Sequence, residues 1–297
     1  MSHTSRRDFL KSAVTAATLA GAGGLPVKAA KRSATDWVTL GDSGVKVTRL
    51  AFGTGTFGGR VQRELGQEQF TRLVRHAYDR GVRFFETADN YRGMPQMLAT
   101  ALKGLPRDSY RLMTKYRLKE TADPKETIDR LRADLNSEYL DILLLHCVRS
   151  AGWPEEFKRL RVEFAEAKGK KIITAHGASC HGLLPLRMFP KTTNWLDVAL
   201  IRVNNKGTRM DTVQGGEGDE VGDVNEVVSH IKQVRSRGTG VLGMKLMGEG
   251  RFTTPEQRDA SLKYVMQLGT VDAVTIGFKS PAEIDDAIER MNRHLNA

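Results

Sequence analysis

The stretch RFFETADNY, residues 83–91, joins a short apolar run to polar residues that begin where the run ends. The same pattern recurs in LMTK at residues 112–115 and in ILLLH at residues 142–146. Short apolar runs of this kind, separated by segments with helical periodicity, indicate buried parallel strands. Four chemically active side chains therefore stand at or just beyond the ends of consecutive strands, namely Glu86, Tyr91, Lys115 and His146.

The pattern continues along the chain and predicts one domain over residues 35–297. Strands are expected at 48–53, 83–87, 110–115, 141–146, 171–176, 197–203, 240–246 and 272–277. Amphipathic helices are expected at 67–80, 124–136, 154–169, 223–236, 255–268 and 281–295. Eight strand–helix units in about 260 residues fit a single α/β domain, a (β/α)8 TIM barrel. Residues 38–48, with a turn at 41–44, are expected to form an N-terminal β-hairpin before the barrel.

Active sites of such barrels gather at the C-terminal ends of the strands, so the four side chains are predicted to meet. A phenol has an ordinary pKa of about 10, and a neighbouring ammonium favours its ionised form. Lys115 is therefore expected to lower the pKa of Tyr91, with Glu86 holding Lys115 in place and His146 orienting a carbonyl group. This set suits carbonyl reduction, in which a cofactor supplies hydride and Tyr91 supplies the proton.

From about Val38 to the C-terminus the chain resembles the aldo-keto reductases. In that family a Phe-Asp-Thr-Ala-x-x-Tyr-Gly segment supplies an aspartate and the acid tyrosine, and a lysine and a histidine close the next two strands. The resemblance implies these roles for Glu86, Tyr91, Lys115 and His146. Two positions depart from the family pattern: Glu86 replaces the aspartate, and Arg92 precedes Gly93.

The resemblance also implies a nicotinamide cofactor. Ser179, expected after the fifth strand, matches a serine that contacts the nicotinamide amide, whereas Cys180 and Leu200 replace the family's asparagine and glutamine. Arg202 and Asn204 share one face of the sixth strand with Leu200, because strand side chains alternate. Arg202 could bind an anion, either a cofactor phosphate or a substrate carboxylate, or form a structural ion pair with a barrel carboxylate. Both alternatives are open from the sequence.

Two later strand ends carry candidates for the cofactor phosphates. Lys245, Gly248 and Gly250 follow the seventh strand, where small residues let backbone amides approach a phosphate. After the eighth strand, Lys279 and Ser280 match the family's Lys-Ser contact with the adenosine 2′-phosphate, at a helix start that suits anions. Glu283 would repel this phosphate. We expect NADP(H) as the cofactor, with NAD(H) as the alternative.

The first 30 residues read as an export signal. SRRDFLK at residues 5–11 precedes an uncharged Ala/Thr/Gly-rich stretch at 12–27, and Lys28-Ala29-Ala30 offers a cleavage site. This order predicts a signal peptide over residues 1–30, and the paired arginines resemble a twin-arginine signal. The uncharged stretch is too short for a stable membrane span of about 20 residues. We therefore expect a periplasmic protein whose partner during export is the Tat translocon. The alternative for the N-terminal segment is an amphipathic helix that is not a signal.

Charge and cysteine content narrow the function classes. The formal net charge is +11, and it falls to +8 without residues 1–29, which carry four basic side chains and one acidic one. The basic residues are scattered among acidic ones, so nucleic-acid binding is not expected. Cys147 and Cys180 are the only cysteines; they could pair in an oxidising compartment, but two free thiols are expected. The histidines show no metal-binding spacing, and no metal site is predicted.

These features predict an exported NAD(P)H-dependent carbonyl reductase or alcohol dehydrogenase acting on a small-molecule carbonyl substrate. The chain ends directly after the eighth helix, so an open substrate pocket is expected. A cofactor-binding or redox-sensing barrel with little turnover is the main alternative, favoured by the changes at Glu86, Cys180 and Leu200. A barrel aldolase or isomerase is the third hypothesis, in which Lys115 would form a Schiff base.

Overall fold

The structure is a computed structural model that describes residues 31–117, 123–192, 194–215 and 220–297. The predicted signal peptide at 1–30 lies outside the described residues. Eight parallel strands close into a barrel in chain order, with the last strand pairing with the first. They are β3 (Leu50–Gly53), β4 (Phe84–Glu86), β5 (Arg111–Tyr116), β6 (Leu140–Val148), β7 (Ile173–Cys180), β8 (Val198–Arg202), β9 (Gly240–Met244) and β10 (Ala273–Gly277). The predicted (β/α)8 barrel is confirmed.

The predicted hairpin closes the N-terminal end of this barrel. Strands β1 (Trp37–Thr39) and β2 (Lys46–Thr48) pair in antiparallel fashion. The backbone N–H of Asp42, in the hairpin turn, donates to the carbonyl oxygen of Gly238 at 2.7 Å. Leu40 packs so closely on Gly240, the first residue of β9, that a Cβ there would lie 2.6 Å from the Cβ of Leu40. The hairpin therefore forms the barrel floor, at the end opposite the predicted site.

Helices surround the barrel at the places that the amphipathic periodicity predicts, with end points shifted by up to two residues, and the helix expected at 154–169 is divided in two at Phe157. A helix at Met94–Leu102, led by Gly93 in the left-handed region (φ 72°), was not expected. The helices are α1 (Arg60–Arg63), α2 (Gly66–Asp79), α3 (Met94–Leu102), α4 (Pro124–Asp134), α5 (Trp153–Glu156), α6 (Lys158–Gly169), α7 (Leu183–Leu186), α8 (Val224–Ser236), α9 (Pro255–Gln267) and α10 (Pro281–Leu295). Across the described ranges, none of them is both long and apolar enough to cross a membrane.

Side-chain alternation divides the core into two layers. The inner layer fills the barrel and includes Phe84, Met113 and Leu144, whereas Phe85 and Leu112 belong to the outer layer beneath the helices. Two residues beyond an inward-facing side chain, the chain faces inward again. This parity turns Glu86, Lys115 and His146 toward the barrel axis at its C-terminal end.

Strand β7 is longer than the sequence indicated. It runs to Cys180 rather than ending near residue 176, so Ser179 and Cys180 belong to the strand and not to the loop after it. The polar residues at 176–181 suggested a loop, but all of residues 175–180 are buried.

Strand β6 also extends past its predicted end at residue 146. Its register with β7 shifts between Leu145 and Val148, and Cys147 in between has φ 59°, in the left-handed region. This bulge lets the strand continue to Val148.

Candidate active site

The four predicted side chains meet at the C-terminal mouth of the barrel. The ammonium group of Lys115 contacts a carboxylate oxygen of Glu86 and donates to the carbonyl oxygen of Thr87 at 2.9 Å. It also lies 3.4 Å from the hydroxyl oxygen of Tyr91. Lys115 and Glu86 are only 2% and 3% exposed, so the ion pair is buried. A buried pair needs further hydrogen bonds to offset its desolvation, and Thr275 Oγ1 supplies one to Glu86 at 3.2 Å.

A glycine accommodates the longer carboxylate that replaces the family's aspartate. A Cβ at Gly53 would lie 3.0 Å from Glu86 Oε2 and 2.5 Å from Thr275 Oγ1. Both approaches are tighter than side chains tolerate. The space left by Gly53 therefore lets Glu86 reach Lys115 and Thr275 together.

The environment of Tyr91 is set by burial more than by the nearby ammonium. Burial, followed by the charge of Glu86, raises the pKa of Tyr91 well above its ordinary value. This direction is opposite to the one expected from the sequence, because the Lys115 charge is already balanced by Glu86 and desolvation favours the neutral phenol. Tyr91 is consequently protonated at neutral pH and keeps a proton to donate.

His146 packs against Tyr91 with the ring centres 5.6 Å apart and nearly perpendicular, at 82°. It is 5% exposed, and burial lowers its pKa, so the imidazole is neutral at neutral pH. Its Nδ1 lies 3.8 Å from a carboxylate oxygen of Asp89, whose other oxygen accepts the backbone N–H of Arg117 at 3.0 Å. Asp89 was not among the predicted site residues, although it lies in the same segment as Glu86 and Tyr91.

Tyr91 lies on the wall between two cavities. The larger one, of about 740 Å³, runs from Glu86, Lys115 and Tyr91 to the start of α10. Three of the predicted cofactor residues line it, namely Lys245, Gly250 and Lys279. Leu200 also lines it, so this side chain does face the interior as the strand alternation predicted.

Four other predicted cofactor residues support the walls and do not line this cavity. Ser179 Oγ accepts the backbone N–H of Cys147 at 2.8 Å. Asn204 donates from Nδ2 to the carbonyl oxygens of Thr208, at 2.8 Å, and Lys245, at 3.2 Å. The remaining two are Gly248, which is buried in the loop after β9, and Ser280, whose Oγ accepts the N–H of Glu283 at 3.3 Å as the N-cap of α10.

Lys279 is engaged by Glu283 at the end of the large cavity. Its backbone N–H donates to Glu283 Oε2 at 2.8 Å, and its ammonium lies 3.9 Å from the other carboxylate oxygen. Lys279, one of the two residues expected to bind a 2′-phosphate, thus faces a carboxylate of the protein itself.

Arg202 lies at the second cavity, of about 150 Å³, which Tyr91 and His146 also line. Its guanidinium is 3.6 Å from Asp211 Oδ1, donates to the carbonyl oxygen of Gly215 at 2.6 Å and contacts His181. The structural ion pair, one of the two alternatives for this residue, is therefore present. Its partner is a loop carboxylate, which strand periodicity could not identify.

Both cysteines are free thiols, as expected. Cys180 is fully buried. Cys147 is partly exposed at the small cavity, and its Sγ lies 3.4 Å from His181 Nε2. Burial raises the pKa of both thiols.

The fold and the site together define a class, a (β/α)8 barrel with a Tyr–Lys–carboxylate–His group at its C-terminal mouth. Residues 49–185 match the model of the Aldo/keto reductase family. Over this segment, which is less than half of the chain, the sequence is similar to that family.

Curated relatives match over short segments. L-galactose dehydrogenase of Arabidopsis thaliana is 35% identical over 118 residues, covering 36% of each chain. Versiconal hemiacetal acetate reductase of Aspergillus parasiticus is 33% identical over 86 residues, covering 27% of this chain and 25% of the relative. The matched segments thus span a quarter to about a third of these relatives' length.

Solved structures match over nearly the whole barrel. An aldo-keto reductase from Bacillus halodurans, in its holo form, superposes with a TM-score of 0.68 at 18% identity, covering 88% of this chain and 95% of that one. An aldo-keto reductase from Klebsiella pneumoniae in complex with NADPH gives 0.64 at 13% identity, covering 86% and 89%. At these identities the likeness establishes the fold.

Proposed function

We propose that the protein is an NAD(P)H-dependent oxidoreductase that reduces aldehydes or ketones, or oxidises the corresponding alcohols. The observation that carries this proposal is the position of Tyr91. This side chain lines both cavities, and its hydroxyl lies 3.4 Å from the Lys115 ammonium. A proton donor on the common wall can protonate the oxygen of a carbonyl group held in one cavity while hydride reaches the carbonyl carbon from a cofactor in the other.

The residues of the large cavity fit a dinucleotide. Its inner end is lined by glycines, and a Cβ at Gly55 would lie 2.6 Å from the Tyr91 hydroxyl. Gln62 Nε2 donates to the carbonyl oxygens of Gly53 and Phe278, each at 3.0 Å, and so ties together two strand ends of this wall. The outer end lies at the N-terminus of α10, which favours negative charge. Bound there, a reduced nicotinamide would supply hydride.

The protein's own residues supply the proton and stabilise charge. Tyr91 holds its proton at neutral pH because its pKa is raised, and releases it only when a strong base such as a developing alkoxide forms nearby. Lys115 lies where it can stabilise the resulting phenolate. Glu86 pairs with this ammonium and holds it in place. His146, neutral and packed on Tyr91, fits beside the carbonyl oxygen.

Titration of the full-length protein with NADPH and with NADH, followed by aldehydes and ketones, tests the proposal. We expect the fluorescence of a bound reduced cofactor to be lost as stoichiometric alcohol forms. Binding without oxidation by any carbonyl compound would instead support the cofactor-binding or redox-sensing barrel. That alternative is favoured by Leu200, which lines the cavity where the family has an amide side chain. No binding of either dinucleotide would contradict both.

Residues at the start of α10 give opposed indications of whether NADPH or NADH binds. Lys279 and Ser280 favour NADPH by their resemblance to the family's 2′-phosphate contact. Glu283 opposes it, since its carboxylate accepts the Lys279 N–H at 2.8 Å. We propose that Glu283 sets the ratio of the affinities for NADPH and NADH.

We also propose that residues 1–30 direct export to the periplasm through the Tat translocon, because SRRDFLK precedes an uncharged stretch and a cleavage site. Replacing both arginines, Arg6→Lys with Arg7→Lys, should leave the folded protein in the cytoplasm. Fractionation of cells that express the parent and the double variant measures this. Equal recovery of both proteins from the periplasm would show that the paired arginines are not needed.

A further inference from the structure

The small cavity beside Tyr91 is lined almost entirely by polar side chains. Besides Tyr91 and His146, it is bordered by Asn90, Cys147, His181, Arg202, Arg209, Lys245 and Glu249, with Gly55 and Gly58. A cavity of about 150 Å³ can hold a molecule of about six non-hydrogen atoms. A compound bound here would place its atoms next to both Tyr91 and His146.

The charges on this lining are mostly positive. Among the described residues, Arg202, Arg209 and Lys245 line the cavity, against one carboxylate, Glu249. Arg202 is balanced from behind by Asp211, which is fully buried. Arg209 and Lys245 share the single carboxylate of Glu249. Within the described part of the chain, these two cations therefore have one carboxylate between them at the cavity.

Arg209 is the cation with unused hydrogen-bonding capacity. Its side chain is 16% exposed, and its Nε lies 3.4 Å from Glu249 Oε2 but makes no hydrogen bond. A guanidinium has five N–H donors in a planar fork that matches a carboxylate. The backbone of Arg209 is also strained, at φ 57°, and non-glycine residues in this region often mark ligand sites.

We propose that the substrate is a small 2-oxo acid, with glyoxylate as the smallest of the class, whose carboxylate binds Arg209, with Lys245 beside it. This inference rests on the proposed function and names its substrate class. The adjoining carbonyl then lies at Tyr91 and His146. Hydride adds to the carbonyl carbon, the C=O π pair moves to oxygen, and Tyr91 protonates that oxygen. The product is a 2-hydroxy acid with its carboxylate unchanged, and the reductant is the reduced nicotinamide cofactor.

Binding of two unreactive probes tests the carboxylate site without catalysis. Oxamate and oxamide each have six non-hydrogen atoms and differ only in carrying a carboxylate or a carboxamide. By calorimetry on the full-length protein, oxamate should bind at least about 10-fold more tightly than oxamide. Arg209→Gln should remove this difference, and Arg209→Lys should keep part of it, because the charge remains without the fork.

Arg237→Gln provides the matched control. It removes the same charge from an exposed residue after α8, on the side of the hairpin, and should leave the preference for oxamate unchanged. Thermal unfolding of each variant checks that the fold is kept. Equal binding of the two probes by the parent would overturn the inference, as would an oxamate preference that survives Arg209→Gln.

Kinetics separate this inference from the proposed function. Glyoxylate and methylglyoxal have the same number of non-hydrogen atoms, and only glyoxylate is charged. We expect a higher kcat/KM for glyoxylate in the parent, and loss of the difference in Arg209→Gln. Efficient reduction of methylglyoxal without any advantage for glyoxylate would overturn the substrate class and leave the reductase intact. Probe discrimination without reduction of either compound would support the carboxylate site and contradict the reductase.

Discussion

Tyr91 shows how a single residue gains its chemistry from its neighbours. Its partly buried side chain lies on the wall between two cavities, and desolvation raises the pKa of the phenol, so it holds a proton across the neutral range. The Lys115 ammonium beside it is balanced by Glu86, so this charge stabilises the phenolate only as it forms. In the proposed function, Tyr91 would therefore donate a proton as a neutral phenol rather than start as an ionised one.

Replacing Glu283 should change the ratio of the affinities for NADPH and NADH. Glu283→Gln removes the charge that faces Lys279 but keeps a side chain of similar size, so the affinity for NADPH should rise about 10-fold relative to NADH. Fluorescence titration of both cofactors measures the ratio. Lys279→Ala should weaken NADPH more than NADH. An unchanged ratio in Glu283→Gln would mean that the 2′-phosphate binds elsewhere.

For single residues, the sequence predicted the positions of side chains on strands better than those of side chains on loops. Glu86, Lys115 and His146 could be predicted because strand parity and strand ends fix their direction. The positions of Asp89, Arg209 and Glu249 could not be predicted, because the geometry of loops brings Asp89 to His146 and the other two to the small cavity. The pKa of Tyr91 was predicted in the wrong direction, because burial depends on the packed tertiary structure.

At the scale of the elements, strand alternation carries both the core and the site. The inner positions next to the site hold the apolar side chains Phe84, Met113 and Leu144, and the next inward positions hold Glu86, Lys115 and His146. The sequence predicted these strands correctly but ended β6 and β7 too early. The bulge at Cys147 and the burial of polar residues in β7 are tertiary features that local pattern does not reveal.

The contact between β7 and β8 depends on a glycine. A Cβ at Gly177 would lie 1.7 Å from the carbonyl oxygen of Val198, so Gly177→Ala must push the paired strands apart. We expect a loss of about 3 kcal/mol or more in the free energy of unfolding. Gly169→Ala, at the end of α6, meets no atom within 4 Å and should be neutral or stabilising. Urea unfolding compares the two; equal stabilities would contradict this packing.

At the scale of the whole molecule, a hairpin floor and a helical outer layer leave one end of the barrel open for chemistry. The order of the elements could be predicted because eight strand–helix units in this length have few alternatives. The division of the open end into two cavities could not be predicted, because it depends on loops such as Lys245–Gly250.

Buried histidines should make the fold sensitive to mild acid. Burial lowers the pKa of His146, His176 and His230 below the ordinary histidine pKa of about 6.5. Below pH 6.5 the unfolded chain therefore binds more protons than the folded one. Because stability rises with pH where the unfolded state binds more protons, the free energy of unfolding should fall between pH 6.5 and 5. Each histidine adds a slope of up to about 1.4 kcal/mol per pH unit. Urea unfolding at several pH values measures it, and His176→Gln should reduce the slope. A slope of zero in the parent would contradict the prediction.

Tyr91→Phe tests most directly whether Tyr91 is the proton donor of a carbonyl reductase. The change removes only the hydroxyl, so cofactor affinity should stay within about 3-fold of the parent, while kcat/KM for carbonyl reduction should fall by at least about 10²-fold. The measurement combines a cofactor titration with the oxidation rate of reduced cofactor on adding glyoxylate or methylglyoxal. Reduction at the parent rate by a variant that binds cofactor normally would contradict the role of Tyr91.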